Sequence, residues 1–274
     1  MSKHEPPDLP KLIGEIKASR KYRGAGIPDE TIADILRQEL ACHAKPSEAL
    51  RSAKAILHNV MAPYLGDPDY DKGRTALDAA FNTGDPGALR QAAREILTQH
   101  DSTRERLTYL ADFYTAIRAA CPAIHTVLDL ACGLNPFALP WMGLPGDAAY
   151  HAYDIHQPRV ELTNHFLTGL GLSPLAEVRD VLIEPPQIEA DAAFLFKEAH
   201  RMEKRRKGAS RLLIQSLNAR VVFISLPNRS LDGRRDLGAR MQRLIEEIFE
   251  GQPGGLHSAE FPGETLYWLE RKNG

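Results

Sequence analysis

Apolar positions along the chain fall into two regimes, and the change comes near residue 121. Before it they recur at helical spacing. Ile32, Ile35, Leu36 and Leu40 predict a helix over 31–40, with Asp29 as its cap. Leu50, Ala53, Ile56, Leu57 and Val60 predict a second helix from Ser47, ended by Pro63. The stretch 66–73, GDPDYDKG, reads as a loop. Short helices follow over 77–81 and 89–97. A longer one spans 102–120, where Ser102 and Glu105 stand in capping-box spacing. No strand signal precedes Ile124.

After residue 121 the pattern becomes short apolar runs separated by helical stretches. HTVLDL (125–130), YHAYDI (150–155), 175–181, DAAFLF (191–196) and RVVFISLP (220–227) predict strands. Helices are predicted over 157–170 and 231–250. LHSAEF and TLYWLE predict a closing pair of strands, a hairpin around PGE. Strands alternating with helices predict an α/β fold with an open, mostly parallel sheet. The boundary is placed at Cys121–Pro122, giving a helical N-terminal domain over 1–121 and a sheet domain over 122–274.

The net charge of −2 does not by itself mark a nucleic-acid binder, so the distribution of charge has to be read separately. Three cysteines, Cys42, Cys121 and Cys132, form no CxxC and no zinc-like cluster. That sparse, odd count predicts a reducing compartment, no disulfide framework and no metal. With no signal-peptide core and no apolar run of about 18 residues, the expectation is a cytoplasmic protein that does not enter a membrane.

Candidate chemistry gathers at strand ends. Val127 to Pro136, VLDLACGLNP, is an apolar strand, then an acid, then a small-residue turn with Gly133. Ligands of open parallel sheets sit beyond the carboxyl ends of the strands, and a glycine there lets backbone approach closely. The segment is neither GxGxxG nor a Walker loop, which disfavours NAD and ATP and points to another nucleoside. Asp154, with Ile155 beside it, ends the second strand about 20 residues on, where an acid accepts ribose hydroxyls. Asp180 ends the third run and suits an adenine amino group, with Val181 and Leu182 against the ring. Any one such acid is as readily a surface cap; acids at three consecutive strand ends make that reading weaker.

DLACGLNPFALPWMGL (129–144), HDSTRERL (100–107) and YDIH (153–156) together resemble the aminoglycoside-resistance methyltransferases of small-subunit ribosomal RNA. The resemblance runs from SRKY (19–22) to ETLYWLER (264–271). It implies a Rossmann-like fold, S-adenosylmethionine as cofactor, and methylation of guanine N7 in the decoding region of 16S rRNA. It also implies that Arg104 contacts the methionyl carboxylate, Gly133 lies against the cofactor, Asp154 holds the ribose and Asp180 bonds the adenine. The plainer reading of Arg104 is a pair with its helix neighbour Asp101. Methyl transfer to N7 needs alignment more than acid–base chemistry, so no general base is expected.

The chain departs from that family after the fourth strand. Lys197 matches a family lysine and is the one positioning candidate, but Glu198, Ala199 and His200 replace the usual turn. Basic residues form three runs: Lys11, Lys17, Arg20, Lys21 and Arg23; Arg201, Lys204, Arg205, Arg206, Lys207 and Arg211; and Arg229, Arg234, Arg235, Arg240 and Arg243. A single run is most often a solvated face; three in a chain of net charge −2 point to segregated charge and a phosphate backbone. Lys17, Arg20, Lys21, Arg205, Arg206 and Lys207 are the candidate phosphate contacts. Trp141, Tyr150 and Tyr153 suit base stacking or core packing equally. Two other readings stay open: a related methyltransferase acting on another RNA position or a small molecule, and a non-catalytic RNA-binding or assembly protein that has kept the fold. A monomer is expected.

Overall fold

The helices of the first half are built from amphipathic segments that cannot bury their apolar stripes alone. In the computed structural model, which describes residues 8–61, 69–229 and 236–271, the order begins with α1 (Leu9–Ala18), α2 (Asp29–Cys42) and α3 (Pro46–Met61). These three enclose their own core of Ile16, Ile27, Ile32, Leu36, Ala53 and Leu57. Next come α4 (Tyr70–Thr83), α5 (Pro86–Leu97), α6 (Asp101–Arg106) and α7 (Leu110–Ala120). Their apolar faces form one continuous core with the sheet, in which Phe113, Tyr114 and Ile117 meet Val127, Phe137, Phe166 and Phe194. The hydrophobic division therefore falls between α3 and α4, inside the helical half, rather than at 121.

The sheet domain runs β1 (Thr126–Leu130), a 3-10 turn (Asn135–Ala138), α8 (Leu139–Met142), β2 (Ala149–Asp154), α9 (Gln157–Gly169), β3 (Ala176–Val178) and β4 (Ala190–Phe196). It continues with α10 (Ala199–Arg205), α11 (Ala209–Ser216), β5 (Ala219–Pro227), α12 (Gly238–Phe249), β6 (Gly254–Phe261) and β7 (Glu264–Arg271). The strand order is β3-β2-β1-β4-β5-β7-β6. The first five are parallel; β7 is antiparallel to β5 and to β6. Alternation along the strands splits the core: Val127 and Phe194 face the α4–α7 side, while Leu128 and Leu195 face α10–α12. From β1 the chain winds outward to β3 and then returns to the other side of β1. That reversal opens a crevice beyond the carboxyl ends of β1 and β4. Left-handed backbone is used there: φ is +49° at Ala131, +56° at Gly133 and +56° at Lys197.

Several local expectations shift. Helix α4 begins at Tyr70, capped by the Asp69 carboxylate on the Lys72 N–H at 3.0 Å, so the described part of the expected 66–73 loop is mostly helix. Pro28 precedes α2, and Asp29 is its first residue rather than its cap. The predicted 102–120 helix breaks at 107–109, and no capping box forms. Ser102 instead bonds the His100 ring at 2.7 Å, and Glu105 reaches Lys197 at 2.7 Å. Strand β3 stops at Val178, which leaves Asp180 in the following turn. Helices α10 and α11 occupy the basic segment where no element is predicted. Residues 66–68, the start of the 231–250 helix, Arg234 and Arg235 lie outside the described residues.

The break between α6 and α7 has a physical cause. It turns Arg106 and Tyr109 together onto Glu264 at the start of β7. Arg106 is 2 % exposed and forks onto both Glu264 oxygens, at 3.1 and 2.5 Å; the Tyr109 hydroxyl donates to Oε2 at 3.0 Å. Arg106 also donates to Asn135 Oδ1 at 3.2 Å, as Tyr114 does at 2.7 Å. Asn135 in turn donates to Asp129 Oδ2 at 3.0 Å, which also accepts from Tyr150 at 2.5 Å. Burial pushes the Glu264 carboxyl up, but Arg106 and Lys197 outweigh it and hold it below its ordinary value. Removing one partner of a buried pair of this kind costs about 3–5 kcal/mol.

Asp129 sits at the far end of this network with the opposite balance. Burial raises its pKa to about 7 against the bonds from Tyr150 and Asn135, and its Oδ1 has no partner among the described residues. Between pH 4 and 7 the folded protein therefore keeps a proton here that the unfolded chain has lost. Stability from this group falls as pH rises through that window, by up to about 1.4 kcal/mol per pH unit. Asp129→Asn mimics the protonated acid. Its melting temperature is expected to decline less than that of the wild type from pH 5 to 8; parallel profiles would show that Asp129 ionises freely.

Candidate functional site

The turn after β1 is shaped by its backbone. Gly133 adopts φ +56°, and a Cβ there would come within 3.5 Å of Arg159 Nη1. Asp154, at the end of the neighbouring strand β2, is 2 % exposed. Its Oδ2 accepts from the Gly133 N–H at 3.0 Å and its Oδ1 from the His156 N–H at 2.9 Å. Arg159, in the first turn of α9, stands 4.0 Å from Oδ2. Two backbone donors thus fix the plane of a carboxylate directly beside a glycine turn, a geometry suited to a vicinal diol. Ile155 follows and packs onto the α1–α3 core.

On the other side of β1, the end of β4 carries Lys197 and Glu198. Lys197 is 8 % exposed. Its ammonium is committed to Glu105 at 2.7 Å, to Glu264 at 3.6 Å and to the Ser102 carbonyl at 3.4 Å. It shapes the turn after β4 and ties it to α6. Glu198 pairs with Arg201 at 3.7 Å. Burial raises its pKa to about 7; Asp154 adds to that, while Arg201 and Arg159 oppose it. His100, at the start of α6, is lowered to about 4 by burial and by Arg159 and Arg201. Asp154, Arg159, Glu198 and His100, drawn from four different elements, thus lie within electrostatic range of one another beyond the ends of β1, β2 and β4.

The third acid is also held. Asp180 Oδ2 accepts from Arg205 at 2.6 Å and from Thr31 of α2 at 2.9 Å, and its Oδ1 accepts from the Leu182 N–H at 3.1 Å. Val181 is buried in the α10–α12 core and Leu182 packs beside it.

The structure brings together Gly133 and Asp154, while Lys197 ends β4 on the other side of β1 with its ammonium on Glu105 and Glu264. It sets Arg104 at the exposed side of α6, where the guanidinium pairs with Asp101 and reaches the Thr98 carbonyl at 3.4 Å. The plainer reading of that residue is the geometry observed. Arg205 is no part of a basic surface: its side chain is 7 % exposed and forks between Asp180 and Asp34, the latter at 2.8 Å. Arg206 is half-buried and donates to the Leu182 carbonyl at 3.3 Å; Lys207 is exposed. Arg20 and Lys21 are exposed, Lys21 against His58, and Lys17 pairs with Asp29. Tyr150 and Tyr153 are core residues, with Tyr150 spent on Asp129. Arg106, Asn135, Glu264 and Arg159 were not singled out from the sequence. The first three lie inside the recognised segments, two residues past Arg104, in the glycine turn and at the start of ETLYWLER; nothing in the sequence distinguishes Arg159.

Comparison with known proteins identifies the family to which the chain belongs. Residues 18–261 match the family model described as ribosomal RNA methyltransferase (FmrO). A protein of Frankia casuarinae named 16S rRNA (guanine(1405)-N(7))-methyltransferase is 35% identical over 93% of this chain and 91% of its own. One of the same name from Serratia marcescens is 35% identical over 96% of this chain and 98% of its own. Among solved structures, the 16S rRNA methyltransferase RmtF in complex with S-adenosyl-L-homocysteine superposes with a TM-score of 0.73 at 30% identity, covering 98% of this chain and 100% of that one. With a matching family model over most of its length and relatives of this similarity end to end, the chain belongs to the FmrO family of ribosomal RNA methyltransferases.

Proposed function

We propose that this protein methylates N7 of the 16S rRNA guanine that its relatives' names number 1405, with S-adenosylmethionine as cofactor. The observation that carries the reading is the oriented Asp154 carboxylate beside the Gly133 turn at the β1–β4 reversal. When bound there, the cofactor supplies an activated methyl group. Asp154 would hold the ribose hydroxyls, and Asp180 with the Leu182 segment the adenine. Arg104, 55 % exposed, would exchange Asp101 for the cofactor carboxylate. Gly133 permits close approach. Guanine N7 already carries a lone pair, so no residue need remove a proton; the protein's contribution is alignment, worth about 7–11 kcal/mol. The acceptor base has to leave its stack to reach the crevice. Lys197 and Glu198, at the end of β4, stand where that base would enter.

The α1–α3 unit, with exposed Lys11, Arg20, Lys21 and Arg23, is the proposed RNA-docking surface, joined by Lys204 and Lys207. Phosphate contacts of this kind orient the substrate without choosing the base. A ribosomal substrate would put the protein's action in the cytoplasm, and we propose that it works as a monomer. Among the described residues no helix is long and apolar enough to cross a membrane. Methylation leaves N7 without its acceptor lone pair and with a positive charge. An aminoglycoside bound at that edge would lose a partner and be repelled, so resistance is the expected phenotype.

Small subunits incubated with the protein and labelled cofactor should carry one labelled 7-methylguanine, in the decoding region, by mass mapping of the 16S rRNA. Label at another nucleotide would reassign the target, and absence of label from RNA would favour a small-molecule acceptor. Asp154→Asn should weaken binding of S-adenosylhomocysteine at least about tenfold, the loss expected for a charge-assisted bond, with an unchanged circular dichroism spectrum; wild-type affinity would remove Asp154 from the ribose. Neutralising Lys17, Arg20 and Lys21 together should weaken RNA binding and flatten its salt dependence by up to about 0.9 in log–log slope per lost contact, leaving cofactor affinity intact. Because Lys17 is paired with Asp29, it should contribute least of the three.

A further inference from the structure

The acid assigned to the adenine amino group is held from the N-terminal half of the chain. A carboxylate oxygen accepts two hydrogen bonds. Both positions on Asp180 Oδ2 are taken, one by Arg205 at 2.6 Å and one by the Thr31 hydroxyl at 2.9 Å. On Oδ1 the Leu182 N–H takes one, at 3.1 Å. Arg205 is itself fixed at its second nitrogen by Asp34, 2.8 Å away and one turn beyond Thr31 on α2. The side chains of Asp180 and Arg205 are 6 and 7 % exposed, and that of Asp34 is 22 % exposed. Three donors from three elements thus set the carboxylate's rotation. One acceptor position on Oδ1 is left without a partner among the described residues.

We propose that Thr31, Asp34 and Arg205 are positioning residues for base selection, so that recognition of the cofactor's adenine is completed by helix α2 of the RNA-docking unit. This rests on the assignment of Asp180 to the adenine amino group. Arg205 is the keystone because its planar fork bridges two acids that would otherwise repel each other. An acceptor locked in this orientation favours a 6-amino purine and rejects a 6-oxo purine, which would set oxygen against oxygen. A loosened carboxylate can turn away, and the rejection weakens. Selectivity is thus a difference between two ligands and reports orientation separately from overall pocket integrity.

The test is calorimetry of the full chain with S-adenosylhomocysteine and S-inosylhomocysteine, with melting curves as a check on folding. The wild type should prefer the adenine compound by at least about tenfold. Asp180→Asn should bring the ratio near one; an unchanged ratio in this variant would overturn the adenine assignment itself. Given that loss, Thr31→Val, which keeps shape and removes only the donor, should lower the ratio severalfold, chiefly by loss of affinity for the adenine compound. Arg205→Lys, which keeps the charge and loses the fork, should lower it further, and the mild Asp34→Asn should act in the same direction. If all three variants retain the wild-type ratio, or weaken both ligands in parallel, the cluster is only a contact between the two halves and the proposal is wrong.

Discussion

The buried pair between Arg106 and Glu264 is the constraint on which the site depends. Neither group can be solvated, so each needs the other, and their neighbours are recruited to complete the bonding. Arg106 comes from the end of α6 and Glu264 from the start of β7, while Asn135 and Lys197 flank the crevice. Arg106 also lies over the rings of Phe113 and Phe196, at 4.3 and 4.9 Å, which fills the space around the charge with apolar surface. The break after α6, the position of the turn beyond β1 and the left-handed backbone at Lys197 are all tied to this one contact.

A second group of ionisable side chains, Asp154, Arg159, Glu198 and His100, lies beyond the strand ends. Asp154 and Arg159 are buried, and burial moves the pKa values of Glu198 and His100 in opposite directions. Near neutral pH this group holds a carboxyl poised to ionise and an imidazole without charge. Its electrostatic character can respond to a cationic ligand without movement of the backbone.

Much of this was legible in the sequence. The run VLDLACGLNP is read as a strand, an acid and a glycine turn, and short runs such as YHAYDI and RVVFISLP, bounded by turns and alternating with helical stretches, read as strands; all three are strands in the structure. Asp154 and Gly133 could be proposed as partners because each ends or follows a strand that is itself legible, and adjacent parallel strands bring those ends together. What stayed hidden depended on distance. Glu264 is 158 residues from Arg106, and Asp180 is 149 from Thr31; no local pattern encodes either pairing. Arg205 shows the same limit from the other side. In sequence it is one of a basic run, and in space it is a buried bridge between two acids, because helix α10, itself unforeseen, turns it inward. The break at 107–109 is likewise invisible in the local periodicity, which is intact, and coincides with two residues, Arg106 and Tyr109, turning onto the distant Glu264.

The sharing of one core by α4–α7 and the sheet bears on how such proteins can be recombined. A chimera joined at residues 121 and 122, the boundary that texture suggests, would set Phe137, Phe166 and Phe194 against another protein's helices across a single core whose side chains have to interlock. A joint between α3 and α4 would divide two separately packed cores instead. The unit free to be exchanged between relatives is therefore the first three helices. Any donor of that unit must also bring a threonine and an aspartate to the right turn of its second helix.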